Sequence, residues 1–221
     1  MCFCVSRIKD GFPGADGSTI QQMDESNALL IKIYGADGNL VYGNDDMGSM
    51  KKEFSSDMLN GYNTIAYTVK HPMILIYNGI AAPYDWFTNN QIYQNNLLWA
   101  DNLPGKGAYD PCPRDWRIAT MDMWNDFSTT TSNYYIQGIQ TATDEKHSTN
   151  GLLYNNLAWY PASGYFYNGT GTLCRVGSYG VYWSSKTQDI YARYLDFNDD
   201  GVRLSQVYRR AGGFSVRCVQ E

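Results

Sequence analysis

The sequence predicts an α+β chain built from short antiparallel strands and one or two short helices, with loop making up roughly half its length. Three observations carry this. No apolar run exceeds strand length, the longest being Met73-Ile74-Leu75-Ile76-Tyr77. Long stretches rich in Asn, Gln, Gly and Ser separate those runs, and helical periodicity surfaces at one place. The chain ends on Phe214, Val216 and Cys218 alternating with Ser215, Arg217 and Val219, the period of two that marks a half-buried strand.

In order, residues 1–27 hold Gly11, Pro13, Gly14 and Gly17 and read as an ordered loop after a short first strand. Residues 28–34 are strand-like, and Asp37-Gly38 signals a hairpin turn into Leu40-Val41-Tyr42. Residues 43–56 are turn-rich and charged and read as exposed. Residues 64–69 alternate as an edge or surface strand that Pro72 breaks, ahead of the buried run 73–77. Residues 81–102 form a long loop anchored by Trp86 and Trp99. Thr120 is a good N-cap with Trp124 and Phe127 one turn apart, which predicts a short helix over 121–128. Residues 128–150 read as a polar loop with room for one helical turn, and residues 152–165, holding Leu157, Trp159 and Tyr160, as strand and turn approaching the core.

A chain of 221 residues, 43% hydrophobic and 15% aromatic, affords one core, and no repeat or linker divides it, so a single domain over 1–221 is expected. A net charge of −5 without a basic run argues against nucleic acid as a partner. No stretch approaches the length of about 20 apolar residues that a spanning helix needs, so membrane insertion is not expected. Met1-Cys2-Phe3-Cys4 runs straight into charged, Gly- and Pro-containing sequence, so no secretory leader is expected. Assembly into oligomers is left open.

The tail supplies further motifs. Tyr182-Trp183-Ser184-Ser185, the spacing Ala192/Leu195/Phe197 and the ending Arg210-Ala211-Gly212-Gly213-Phe214-Ser215-Val216-Arg217-Cys218 resemble the Fibrobacter succinogenes major paralogous domain family. Upstream, Asp110-Pro111-Cys112-Pro113-Arg114-Asp115-Trp116-Arg117-Ile118-Ala119-Thr120 is similar to that family's Asp-Pro-Cys-Pro-x-Gly-Trp-Arg motif, and Arg7-Ile8-Lys9-Asp10-Gly11-Phe12-Pro13-Gly14 to a diverged copy of an N-terminal one. More narrowly, the tail resembles the members that diversity-generating retroelements vary in gut Bacteroides and their phages. The resemblance implies a C-type-lectin-like fold whose first and last strands lie together, with a variable region over about residues 177–218. Of five cysteines, only Cys112 and Cys218, inside the two strongest motifs, are candidates to bridge; two buried thiols behaving as small hydrophobes are the alternative.

Residues 186–210 hold Tyr, Asn, Asp, Arg and Ser, the types that make contacts rather than cores. If Leu195 and Phe197 point inward, Tyr194 and Asp196 point to solvent or ligand. The candidate ligand-binding set is Thr187, Asp189, Arg193, Tyr194, Asp196, Asn198, Asp199, Arg203, Ser205, Val207, Tyr208 and Arg209. Adenine mutagenesis, which the resemblance implies, reaches Thr187, Asp189, Tyr194, Asp196, Ser205, Val207, Tyr208 and Arg209 but not Lys186, Gln188 or Gln206. Each of these has the plainer reading of an ordinary surface residue.

No catalytic residue is expected. His71 and His147 stand alone, no nucleophile or phosphate-cradling motif is present, and Cys2-x-Cys4 has the wrong spacing for a zinc knuckle. No cofactor is expected: Asp196, Asn198, Asp199 and Asp200 offer hard oxygen donors to Ca²⁺, but their spacing fits no EF-hand loop and a solvated turn before Gly201 is the favoured reading. The expected function is a hypervariable ligand-binding protein, a phage tail-tip receptor-binding protein or a bacterial cell-surface adhesin, with a protein or glycan receptor on a host or cell surface. The alternatives are an invariant carbohydrate-binding lectin-like domain and an enzyme of the formylglycine-generating kind.

Overall fold

The computed structural model describes residues 33–34, 40–41, 51–54, 64, 67–68, 74–99, 105–107, 109–128, 132–135, 151–198 and 200–221. The described chain is strand-rich, with short strands and few helical turns. Its strands, in order, are β1 (Ile33–Tyr34), β2 (Leu40–Val41), β3 (Lys51–Glu53), β4 (Leu75–Tyr77), β5 (Trp116–Ile118), β6 (Ser132–Tyr135), β7 (Gly151–Tyr154), β8 (Ala158–Pro161), β9 (Tyr165–Phe166), β10 (Leu173–Cys174), β11 (Gly180–Gln188), β12 (Tyr191–Asn198), β13 (Gly201–Arg209), β14 (Ser215–Val216) and β15 (Cys218–Gln220).

The organising sheet has the order β13-β12-β11-β14. Strands β11 to β13 form an antiparallel meander, whereas β14 joins β11 in parallel, with Tyr182 opposite Ser215 and Trp183 opposite Val216. Alternation sends successive side chains to opposite faces, and both faces are covered. Tyr182, Leu195 and Phe197 enter one core with Trp124, Phe127, Leu152 and Tyr160. Val181, Trp183 and Ala192 enter a second with Cys112, Ile118, Phe214 and Val216.

After β14 the chain steps at Arg217 into β15, which pairs with β5. The Ala119 amide donates to the Arg217 carbonyl and the Ala119 carbonyl accepts from the Ser185 amide, at 3.1 and 3.0 Å, so the β5 end is tied to both tail strands. The Asp-Pro-Cys-Pro segment is held by the buried Asp110 carboxylate, which accepts from the Cys112 and Ile118 amides, each at 2.8 Å. Cys112 and Cys218 are joined as a disulfide, with Cα atoms 5.7 Å apart.

Several expectations are met. The Asp37-Gly38 signal lies between the paired β1 and β2, and Ile74, Leu75 and Ile76 of the apolar run are buried, Ile76 being 3% exposed. Trp86 packs with Phe54 and Ile76. Others are corrected. Residues 43–56 are not all exposed turn, since β3 pairs in parallel with β4 and Phe54 is buried. Of residues 64–69, expected as a strand, the described Thr64, Tyr67 and Thr68 are helical. The helix expected over 121–128 is a 3-10 turn, Met121–Trp124, and the Thr120 side chain makes no capping bond; Met121 and Trp124 plug the first core, so packing sets this turn. The polar segment 128–150 includes β6, paired with β7. Leu157 faces solvent at the β7–β8 turn, where Asn155 and Asn156 take positive φ and reverse the chain. Ser215, which alternates with the apolar positions of the half-buried strand, is itself buried and hydrogen-bonded to Ser163 at 2.8 Å.

The first strand expected before residue 27, residues 28–32, Asp199, His71, His147, Cys2 and Cys4 lie outside the described residues. Among the described residues no helix is long and apolar enough to cross a membrane.

Candidate ligand-binding face

The contact stretch is a sheet rather than a loop. Its tyrosines rest on a frame of larger rings. Phe214 stacks on Trp183 at 4.2 Å between centroids, and Tyr194 and Tyr208 meet Phe214 at 5.0 and 4.9 Å. Tyr194 and Tyr208 are T-shaped to each other at 6.2 Å, and Tyr165 from β9 closes the group at 5.6 Å from Phe214. Edge-to-face contacts of this kind fix ring directions. The result is a half-buried aromatic platform whose rings come from β9, β11, β12, β13 and the segment before β14.

Burial controls the phenols. It pushes the Tyr194 hydroxyl up to about 12, with the Asp196 carboxylate adding to it. Burial also raises Tyr208, with Tyr165 and Tyr167 contributing. Both phenols therefore remain hydrogen-bond donors through the neutral range. Because the folded values lie above the ordinary 10.0, the associated stability is intact below pH 10 and is lost as pH rises past it. Titration of phenolate absorbance should show these two tyrosines ionising late, with the urea midpoint falling over the same range; ionisation of all tyrosines near pH 10 would contradict the packing.

Twelve residues were expected to contribute, and the sheet separates them. Asp196 is on the face predicted, opposite Leu195 and Phe197, but it is buried, which corrects the expectation that it points outward. That face is itself packed, and Arg203 across the strand pair clamps the carboxylate with Nε–Oδ1 and Nη2–Oδ2 at 2.7 and 3.2 Å. The same bond raises the Arg203 guanidinium pKa against its own burial. Asn198 is likewise buried, and its amide donates to Asp200 at 3.2 Å. Among the described residues no group of three His, Cys, Asp or Glu side chains is placed to hold a metal.

Arg193 and Val207 are opposite each other in register, one residue out of phase with Tyr194 and Tyr208, and so occupy the reverse face. Ser205 is exposed in the left-handed region, φ 62°, at the irregularity between β12 and β13, and Arg193 reaches its carbonyl at 3.0 Å. Thr187 and Asp189 flank the β11–β12 turn, Asp189 with φ 50°. Arg209 lies over the Tyr84 ring, 3.8 Å from its centroid. Tyr194, Tyr208 and Arg203 thus define the candidate face; Arg209, in phase with Val207, stands at its end over Tyr84, and the turn residues form the border.

Sequence reasoning missed Tyr165, Tyr84, Tyr179, Gln94 and Arg210. Arg203 and Arg175 both approach the Tyr179 ring, at 5.6 and 5.4 Å. Gln94 donates to Asp85 at 2.7 Å and to the Ile190 carbonyl at 3.3 Å. Arg210, its pKa lowered by burial, donates to Asn96 at 2.5 Å and to the Asp189 carbonyl at 2.9 Å. These two clamps tie residues 94–96 of the loop to the β11–β12 turn. Nothing local in the sequence signals contacts across 96 and 114 positions. Compared with protein-family models, curated proteins and solved structures, the chain matches none.

Proposed function

We propose that this chain is a hypervariable ligand-binding protein on a C-type-lectin-like scaffold, acting as a phage receptor-binding protein or a bacterial cell-surface adhesin, and that it binds rather than catalyses. The observation that carries the reading is the division within the tail. Trp183, Leu195, Phe197 and Phe214 are all nearly fully buried, whereas Asp189, Ser205 and Val207 between them are exposed. Side chains at the second set can be exchanged without opening the core, which is what a diversified surface requires. Tyrosine and arginine on a rigid sheet also supply contact area at low entropic cost.

Two tests bear on it. The coding region should have a near-repeat of its 3′ segment differing at adenines, beside a reverse transcriptase gene. In addition, a library randomised at Thr187, Asp189, Ser205, Val207 and Arg209 should stay mostly folded under protease challenge, whereas one randomised at Trp183, Leu195 and Phe197 should be cleaved. Equal survival of the two libraries, without such a repeat, would remove the basis for the reading.

A further inference from the structure

Tyr165, Tyr179, Tyr194 and Tyr208 all pack, half-buried, against the second core. Three of them gather closely: the Tyr208 ring lies 6.3 Å from Tyr165 and 6.2 Å from Tyr194, and all three rings contact Phe214. Their hydroxyl ends gather as well as their rings. Beyond the effect of burial, Tyr165 and Tyr194 each raise the Tyr208 hydroxyl through their charge, and Tyr165 does the same to Tyr194. No hydrogen bond among the described residues engages these three hydroxyls, and none belongs to the buried polar atoms left without a partner, so they open to solvent. Tyr167, two residues along from Tyr165 and 39% exposed, acts by its charge on both Tyr165 and Tyr208 and borders the group.

This patch offers hydroxyl rather than charge or apolar area. The Asp196 carboxylate beside it is taken by Arg203, and Arg203 and Arg175 both lie over the Tyr179 ring. The rings of Tyr165, Tyr194 and Tyr208 are committed to T-shaped and tilted contacts with one another and with Phe214. A protein hot spot instead presents an aromatic or apolar anchor for its partner to enclose. A neutral phenol donates one hydrogen bond and accepts others, and a sugar hydroxyl does the same, so the two pair in either direction. Ring spacings of 6.2 and 6.3 Å are on the scale of one pyranose ring with its hydroxyls. A site lined by such groups discriminates strongly against ligands that lack the matching hydroxyl.

We propose that Tyr165, Tyr194 and Tyr208 form a subsite for a neutral sugar of a glycan receptor, gripping its hydroxyls through the three phenols rather than through a cation. This rests on the binding reading above and gives that surface a ligand chemistry. It also brings in Tyr165, which lies outside residues 177–218, as a wall of the subsite that the variable region does not supply.

The test is a titration of the full chain, followed by the NMR ring signals of isotope-labelled tyrosine, with the methyl glycosides of mannose, galactose and N-acetylglucosamine, with glucuronate, and with a peptide of alternating Tyr and Leu. EDTA is present throughout. A neutral glycoside should move the Tyr165, Tyr194 and Tyr208 signals saturably while exposed Tyr109 stays in place. Y165F, Y194F and Y208F, which keep the rings and remove only the hydroxyls, should each weaken that glycoside by about threefold to tenfold, the loss of one hydrogen bond, and leave the urea midpoint unchanged. Movement of the three signals no greater than that of Tyr109 with every glycoside, a preference for glucuronate, or affinity unchanged in all three Phe variants would overturn the proposal. Movement of the three signals by the peptide alone would overturn it too, while leaving the binding reading intact.

Discussion

Replacing Cys112 or Cys218 by Ser is expected to remove about 4–5 kcal/mol of stability, because the bond closes a loop spanning 106 positions and loop-closure entropy grows with loop length. For a chain of this size that amounts to a melting temperature lower by roughly 10–15 °C. The bond has a defined job: it fastens the segment before β5 to β15, where pairing runs over three residue pairs only. Scanning calorimetry of the wild type, of the double variant C112S/C218S, and of the wild type in reductant should give one high and two matching low transitions. A change under about 1 kcal/mol would mean that the Ala119 bonds to Arg217 and Ser185, with the β15–β5 pairing, hold the tail without the bridge.

Phe197→Ala should cost about 3–5 kcal/mol, the range for deleting a fully buried aromatic side chain. Phe197 is 0% exposed and stacks with Tyr182 at 6.1 Å. The sheet is built closely around it: a Cβ on Gly180 would fall 1.9 Å from its Cζ, so that position requires glycine by close approach. Val207→Ala, ten residues along and 39% exposed, should stay within about 0.5 kcal/mol. Urea unfolding of the two variants measures the contrast directly. Equal losses would mean that the tail has no division into frame and surface.

The strand identities in the tail were legible because a period of two is a local property. Leu195 and Phe197 read as sharing one face on that ground, and both are completely buried. Trp86 and Trp99 were legible as loop anchors because large rings seek burial wherever the chain passes. The failures share a cause. Alternation sorts side chains between two faces without saying whether a face meets water, so Asp196 and Asn198 were assigned outward and lie buried. Helical spacing at Trp124 and Phe127 is shared by one 3-10 turn and a longer helix, and only packing against Leu152 and Tyr160 separates them.

The amino-acid order by itself determined the short strands, the hairpin signals, the buried apolar positions and the polar, tyrosine-rich character of residues 186–210. Only the tertiary structure decided that this stretch is a sheet whose strand β12 is packed on both faces while β13 stays largely exposed, that Tyr194 and Tyr208 stand with Tyr165 and Phe214, and that Arg209 finds Tyr84 across 125 positions of chain. Periodicity is written residue by residue, whereas which distant groups share a face is set when the whole chain competes to bury apolar surface without stranding its polar groups.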